Sequence, residues 1–160
     1  MSEREPLGAA RAAIDARVQS ADFDPGRQLA RLGELRKAAV ASLVGRVEAG
    51  ADVEEIWIDH HAGLARTELL RIGEEALARW PLAGAILIHR QGRLAPGDRV
   101  LFAAAAASPV EAAQQACAWM AAQMRTRAPF WRKDILTDGT SRWFEPSAAA
   151  ADAGADEAAK

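Results

Sequence analysis

Two apolar runs joined by a turn constrain the fold of this chain more than any other feature. GAILIHR (84–90) and DRVLFAAAAA (98–107) both read as strands. Between them lies Pro96-Gly97-Asp98, which is turn chemistry: proline presets φ, glycine tolerates positive φ and aspartate can bond its own backbone. Such turn chemistry favours an antiparallel pair. Immediately after the second run, Ser108-Pro109-Val110-Glu111 supplies a serine for the helix N-cap, a proline for the first helical position and a glutamate for a capping box. The helix opened there is expected to reach about Arg125. Pro129 stops it, so the residues around that proline (APFWRKDIL) should be extended.

The segments before this unit repeat the alternation. RQLARLGELR (27–36) spaces Leu29, Leu32 and Leu35 by about one turn, as a short amphipathic helix does. AAVASLVGRV (38–47) reads as a buried strand in which Gly45 marks a bulge or a close approach. VEEIWID (53–59) alternates in a way that suits a strand covered on both sides. From Leu64 to Trp80 a helix aligns Leu69, Ile72, Ala76 and Trp80 in one stripe, with Pro81 just beyond its end. SRWFEP (141–146) closes the pattern as a last short strand. Strands, helix, strands, helix and closing strands make an α+β order rather than a doubly wound one.

The ends differ from this middle. Residues 1–22 are alanine-rich with few anchors (Leu7, Ile14, Val18), so they are expected to be a loosely structured or helical extension, with the folded domain spanning 23–146. Residues 147–160 continue a stretch without any large apolar residue and are expected to form a disordered tail. Of the chain's 80 hydrophobic residues 39 are alanine, and the 41 larger ones suffice for one core. A net charge of −2 argues against a nucleic-acid binder. A single cysteine excludes disulfide frameworks and multi-cysteine metal sites. No apolar run approaches the roughly 20 residues of a membrane helix, and no secretory leader is evident. The expected setting is the cytoplasm, with no membrane partner.

Nucleotide-binding glycine motifs, a nucleophile elbow and HExxH are all absent from the sequence. His60 and His61 are neighbours at a strand end and should point to opposite faces, which disfavours a shared metal; no metal or cofactor is expected. His89 reads as a packed or hydrogen-bonded histidine, and Cys117, inside a helix, as an inert buried thiol. One cluster is unusual. Arg125-Thr126-Arg127-Ala128-Pro129-Phe130-Trp131-Arg132-Lys133 places four cations and two aromatic rings around a rigid proline, where a helix breaks. Cations offset the negative pole at a helix C-terminus, which accounts for Arg125 and Arg127. Arg132, Lys133 and the rings equally suit a pocket for a flat, anionic ligand. On chemistry alone both readings stand.

At this segment the chain resembles the large, catalytic subunit of molybdopterin synthase, the MoaE-like family. RTRAPFWRKD (125–134) is similar to the family's K-T-[RK]-A-P-[FI]-W-K-[KR]-E. RWPL (79–82) with ILIHRQGRLAPGD (86–98), IDHHAG (58–63), AAVASLVGRV (38–47), FDPG (23–26) and SRWFEP (141–146) resemble further family segments, collinearly over about residues 23–146. The resemblance implies an α/β hammerhead-type two-layer α+β fold of mostly antiparallel strands with packed helices. It implies a homodimer that binds a small ubiquitin-like sulfur-carrier subunit, giving a heterotetramer. The carrier's C-terminal Gly-Gly tail bears a thiocarboxylate, whose sulfur passes to cyclic pyranopterin monophosphate to build molybdopterin.

The chain departs from the family pattern at chemical positions. The two family lysines are Arg125 and Arg132 here, which places these two at the catalytic positions. Arg127, Lys133, Arg142 and Arg46 match cationic family positions and are the expected contacts to the phosphorylated substrate. Glu48 stands where the family carries arginine, and Ala107-Ser108-Pro109-Val110 replaces S-[AP]-H-R. Guanidinium can grip an anion but stays protonated and supplies no nucleophilic amine. Two functions follow: a divergent molybdopterin synthase large subunit, or a catalytically inactive paralogue that binds the carrier, a pterin or an active large subunit.

Overall fold

The computed structural model describes residues 13–61 and 63–144; the expectations for residues 1–12, for Glu145 and Pro146, and for the tail over 147–160 lie outside the described residues. The chain runs β1 (Ala13–Gln19), α1 (Pro25–Gly33), β2 (Ala39–Arg46), β3 (Val53–His60), α2 (Leu64–Arg79), β4 (Leu82–Arg90), β5 (Gly92–Leu94), β6 (Arg99–Ala107), α3 (Val110–Arg127), β7 (Phe130–Leu136) and β8 (Ser141–Phe144). Two four-stranded sheets result. The first has the order β1-β4-β6-β2 and the second β5-β3-β7-β8. All pairings are antiparallel except β1 with β4. The fold is thus mixed α+β, as the order of periodicities implies. Among the described residues no helix is long and apolar enough to cross a membrane.

The first sheet is covered on both faces. Along β6 the odd positions Leu101, Ala103, Ala105 and Ala107 pack with Leu69 and Ile72 of α2 and with Ala113, Ala116 and Met120 of α3. The even positions Phe102, Ala104 and Ala106 face Phe23 and the α1 residue Leu32. Strand side chains alternate between faces, so a strand buried on both sides reads as a continuous apolar run. Alanine lets α3 lie close against the sheet: the Cys117 thiol donates to the Ala103 carbonyl at 3.4 Å.

Four expectations are corrected. Residues 13–19 form β1 rather than part of a loosely structured or helical extension, because Ile14, Ala16 and Val18 alternate with Asp15, Arg17 and Gln19 and fit the edge of β4. The apolar face packs on α2, where a Cβ on Gly73 would sit 2.6 Å from the Ile14 side chain. The polar face meets α1, with Arg31 donating to Asp15 at 2.7 Å and Arg17 to Gln28 at 2.7 Å. The ordered domain therefore begins well before Phe23. Secondly, β2 is an edge strand with Leu43 and Val44 exposed, not a buried one. Its Gly45 does mark both an irregular register and a close approach to Leu101.

Thirdly, β3 is covered on one side only: Ile56 and Ile58 are buried, while Trp57 faces outward. Fourthly, α3 starts one residue later than its capping signal suggests, with Pro109 in the cap position. The Ser108 hydroxyl accepts instead from the Ala38 amide at 2.8 Å, tying the entry of β2 to the end of β6. The hairpin, by contrast, is as expected. β4 and β6 pair antiparallel, and the turn between them also holds the short β5, which the sequence pattern does not announce.

Candidate functional site: a cationic cleft between the sheets

Where the two sheets meet, a cleft of about 620 Å³ opens between the end of β2, the end of α3 and the start of β7. Its walls are largely apolar, with Leu43, Val44, Ile58, Val100, Met124 and Phe130 among them. Its polar side chains are Arg46, Glu48, His89, Arg125 and Arg132. A second hollow, of about 510 Å³, lies on the other sheet edge, but its arginine, Arg93, is ion-paired to Glu55 at 3.5 Å.

The helix break expected at Pro129 builds this cleft. Arg125 stands in the last turn of α3 and Arg132 on β7. The same periodicities send their neighbours elsewhere. Two residues along a helix is more than half a turn, so Arg127 points to α2. There it forms a fork with Glu75 at 2.8 Å on both oxygens and bonds Glu68 at 2.9 Å. That pairing drives the Arg127 guanidinium further up and the Glu75 carboxyl down. One residue along a strand is the opposite face, so Lys133 lies outside, its ammonium 5.3 Å from the Trp143 ring centroid. Arg142, on β8, stands 3.6 Å from Asp52 and 4.0 Å from Asp134, beside the cleft rather than in it. Of the six cations singled out by sequence, Arg46, Arg125 and Arg132 share the cleft while Arg127, Lys133 and Arg142 do not.

The three cleft cations are held differently. Arg132 donates to both oxygens of the buried Asp134, at 2.6 and 3.3 Å, and to the Glu48 carbonyl at 2.8 Å. Arg46 donates to the Gly97 carbonyl at 2.8 Å. The Arg125 guanidinium makes no hydrogen bond or ion pair among the described residues, so its full donor fork is available. Glu48, whose carboxylate likewise has no partner among the described residues, lines the same cleft.

His89 sits under α3, on the face of β4 shared by Ala85 and Leu87. It is 8% exposed and stacks on Phe130, with ring centroids 3.6 Å apart and planes 14° apart. His60 meets the same phenyl ring at its edge, 5.9 Å away. The His89 Nδ1 lies 2.8 Å from the Arg90 carbonyl. A carbonyl only accepts, so Nδ1 carries the proton. Burial pushes the imidazole down to about 4, against the opposing hydrogen bond to Arg90, and the charge of His60 lowers it further. The ring is therefore neutral near pH 7. Cys117 is buried and bonded in the core, its thiol pushed up to about 11 by burial, in keeping with an inert role.

Sequence reasoning did not single out Asp134, the buried partner of Arg132. The signal was present: on a strand, Asp134 must share the face of Arg132, and a buried carboxylate needs a cation.

The sequence matches the family described as MoaE protein over residues 18–127. It is 38% identical over 134 residues to the molybdopterin synthase catalytic subunit of Mesorhizobium japonicum, covering 81% of this chain and 84% of that protein. Against the molybdopterin synthase catalytic subunit of Pseudomonas aeruginosa it is also 38% identical over 134 residues, covering 81% and 89%. The fold is similar to that of a molybdopterin biosynthesis MoaE protein from Burkholderia ambifaria, with a TM-score of 0.74 and 32% identity over 94% of this chain and 100% of that one.

Proposed function

This chain belongs to the MoaE protein family, and from that premise we propose that it is the large subunit of a molybdopterin synthase. In this reading, sulfur passes from the thiocarboxylate of a small carrier subunit to cyclic pyranopterin monophosphate, in the cationic cleft. The observation that carries the proposal is the convergence of Arg46, Arg125 and Arg132 on one apolar-walled cavity. An extended Gly-Gly tail needs a narrow apolar groove, and a phosphate needs guanidinium donors. Arg125, with no partner of its own among the described residues, is the cation best suited to grip the substrate phosphate or the anionic tail end. Arg132, neutralised by Asp134, shapes the wall and contributes less net charge. Arg127 fastens α3 to α2, and no substrate contact is assigned to it, to Lys133 or to Arg142. A homodimer, and a heterotetramer with the carrier, complete the proposal on the family resemblance.

One observation favours the second reading, an inactive paralogue that still binds the carrier. Both family lysines are guanidinium groups, which cannot attack as amines at working pH, and Glu48 puts a negative charge where a phosphate would lie. A single assay separates the two. Purified protein is mixed with thiocarboxylated carrier and cyclic pyranopterin monophosphate, and molybdopterin is measured. Turnover supports the first reading. No product, with carrier binding retained and turnover gained in Arg125→Lys, overturns it in favour of the second.

A further inference from the structure

We propose that His89 is a ligand-binding residue of the cleft, its Nε2 accepting a hydrogen bond from an amide N–H of the molecule bound there. The inference rests on the functional reading above and adds to it the group that recognises the neutral part of an anionic ligand.

The geometry leaves His89 one available role. Its Nδ1 proton is committed to the Arg90 carbonyl, so Nε2 presents a lone pair and no hydrogen. Among the described residues nothing donates to that lone pair, and Nε2 is not one of the buried polar atoms sealed from solvent without a partner. The opening available to it is the cleft, which His89 lines. The ring cannot swivel to another partner, because the Phe130 face stacks on it and the Arg90 carbonyl fixes its edge.

The chemistry of the neighbours defines what this acceptor is for. Arg46, Arg125 and Arg132 only donate, and the other acceptor side chain, Glu48, is an exposed anion that repels a phosphate or carboxylate. A neutral imidazole accepts without repelling. Among the described residues it is thus the one acceptor side chain of the cleft that an anionic ligand can approach at no electrostatic penalty. The complementary ligand carries an anionic group for Arg125 and, a short distance away, an amide N–H for His89. Two molecules of the proposed reaction have that pattern: a peptide C-terminus, through its last amide, and a phosphorylated pterin, through its ring lactam.

The test uses the full chain and two probes. One is a semisynthetic carrier ending in Gly-Gly, with a counterpart methylated on its last amide nitrogen; the other is a stable reduced pterin phosphate. His89→Phe keeps the stack on Phe130 and deletes the acceptor, while His89→Gln restores an amide near the Nε2 position. If the donor is the tail, His89→Phe weakens carrier binding about tenfold and His89→Gln recovers part of it. Methylation then costs the same factor on the wild-type protein and nothing further on His89→Phe. If the donor is the pterin, methylation is silent and the tenfold loss appears with the pterin phosphate. A folded His89→Phe that binds both probes like the wild type overturns the inference and leaves the functional reading intact. A wild-type protein that binds neither probe overturns the functional reading, and this inference with it. Should His89→Phe not fold, the Nε2 nitrogen resonance of the wild-type protein decides: it must move when either probe is added, and a resonance that stays put overturns the inference.

Discussion

The two sheets of this molecule are built from different chemistry. The first is dry: β6 carries five consecutive alanines at 0% exposure, with helices packed on both faces. The second has one buried face and one in solvent, where Trp57, Trp131 and Trp143 stand exposed beside Arg93 and Lys133. Small side chains in the first sheet hold α3 at one fixed height. That height sets where the helix ends and where Arg125 stands over the cleft. The second sheet contributes Phe130 and Arg132. Precision thus resides in the alanine-rich layer and the ligand chemistry at its border.

The largest effect should come from disturbing that layer. Ala105→Leu adds three carbons between β6 and α3, where nothing is exposed. It should destabilise the protein by about 3 kcal/mol in denaturant unfolding, because overpacked cores shift backbone. It should also weaken ligand binding in the cleft by displacing Arg125. A loss below about 1 kcal/mol would mean that α3 floats, and that the contrast between the sheets is wrong.

Next is acid. His89 has an ordinary pKa of 6.5 when unfolded and about 4 when folded. Between those values the unfolded chain binds more protons, so stability is complete above pH 6.5 and falls as pH drops toward 4. The loss approaches about 3 kcal/mol at pH 4. His89→Phe should flatten the stability profile over that window, as thermal unfolding at stepped pH can record. A smaller effect is expected at the border of the second sheet. Asp134→Ala leaves Arg132 without its carboxylate and should cost about 2 kcal/mol. Because it also frees a guanidinium in the cleft, it should tighten the binding of inorganic phosphate, measured by calorimetry.

How far residues alone lead differs between these regions for physical reasons. The hairpin and the three helices announce themselves through turn chemistry and periodicity, which are local. Strand β1 does not: only Ile14, Ala16 and Val18 mark its buried side, and its partner begins at Gly84, far along the chain. The twofold burial of β6 could be read from its unbroken apolar run. The exposure of Trp57 could not, because an alternating run with large residues on both faces fits either one or two covering layers. In the cation cluster, residue type suggested a pocket, but the parity of strand and helix decided its members. Arg125 and Arg132 face the cleft, whereas Arg127 and Lys133, equally basic, face away from it. Pairing is harder still: nothing in the order of residues tells that Arg127 meets Glu75 across two helices.

The smallest effect is the most discriminating. Trp143 is 58% exposed and its ring lies beside the Lys133 ammonium, with the indole on the outer face of the second sheet. An exposed cation–π contact is worth about 0.5–1 kcal/mol, and little apolar area is withdrawn from water there. Trp143→Ala should therefore change stability by less than about 1 kcal/mol and leave phosphate binding in the cleft unaltered. If the substitution instead cost as much as Ala105→Leu, the outer face would have to be buried in solution against another surface. The second sheet would then be a covered layer like the first, with its tryptophans as anchors. Measuring Trp143→Ala unfolding at two protein concentrations tells the cases apart, since stability drawn from association between copies rises with concentration and stability drawn from within one chain does not.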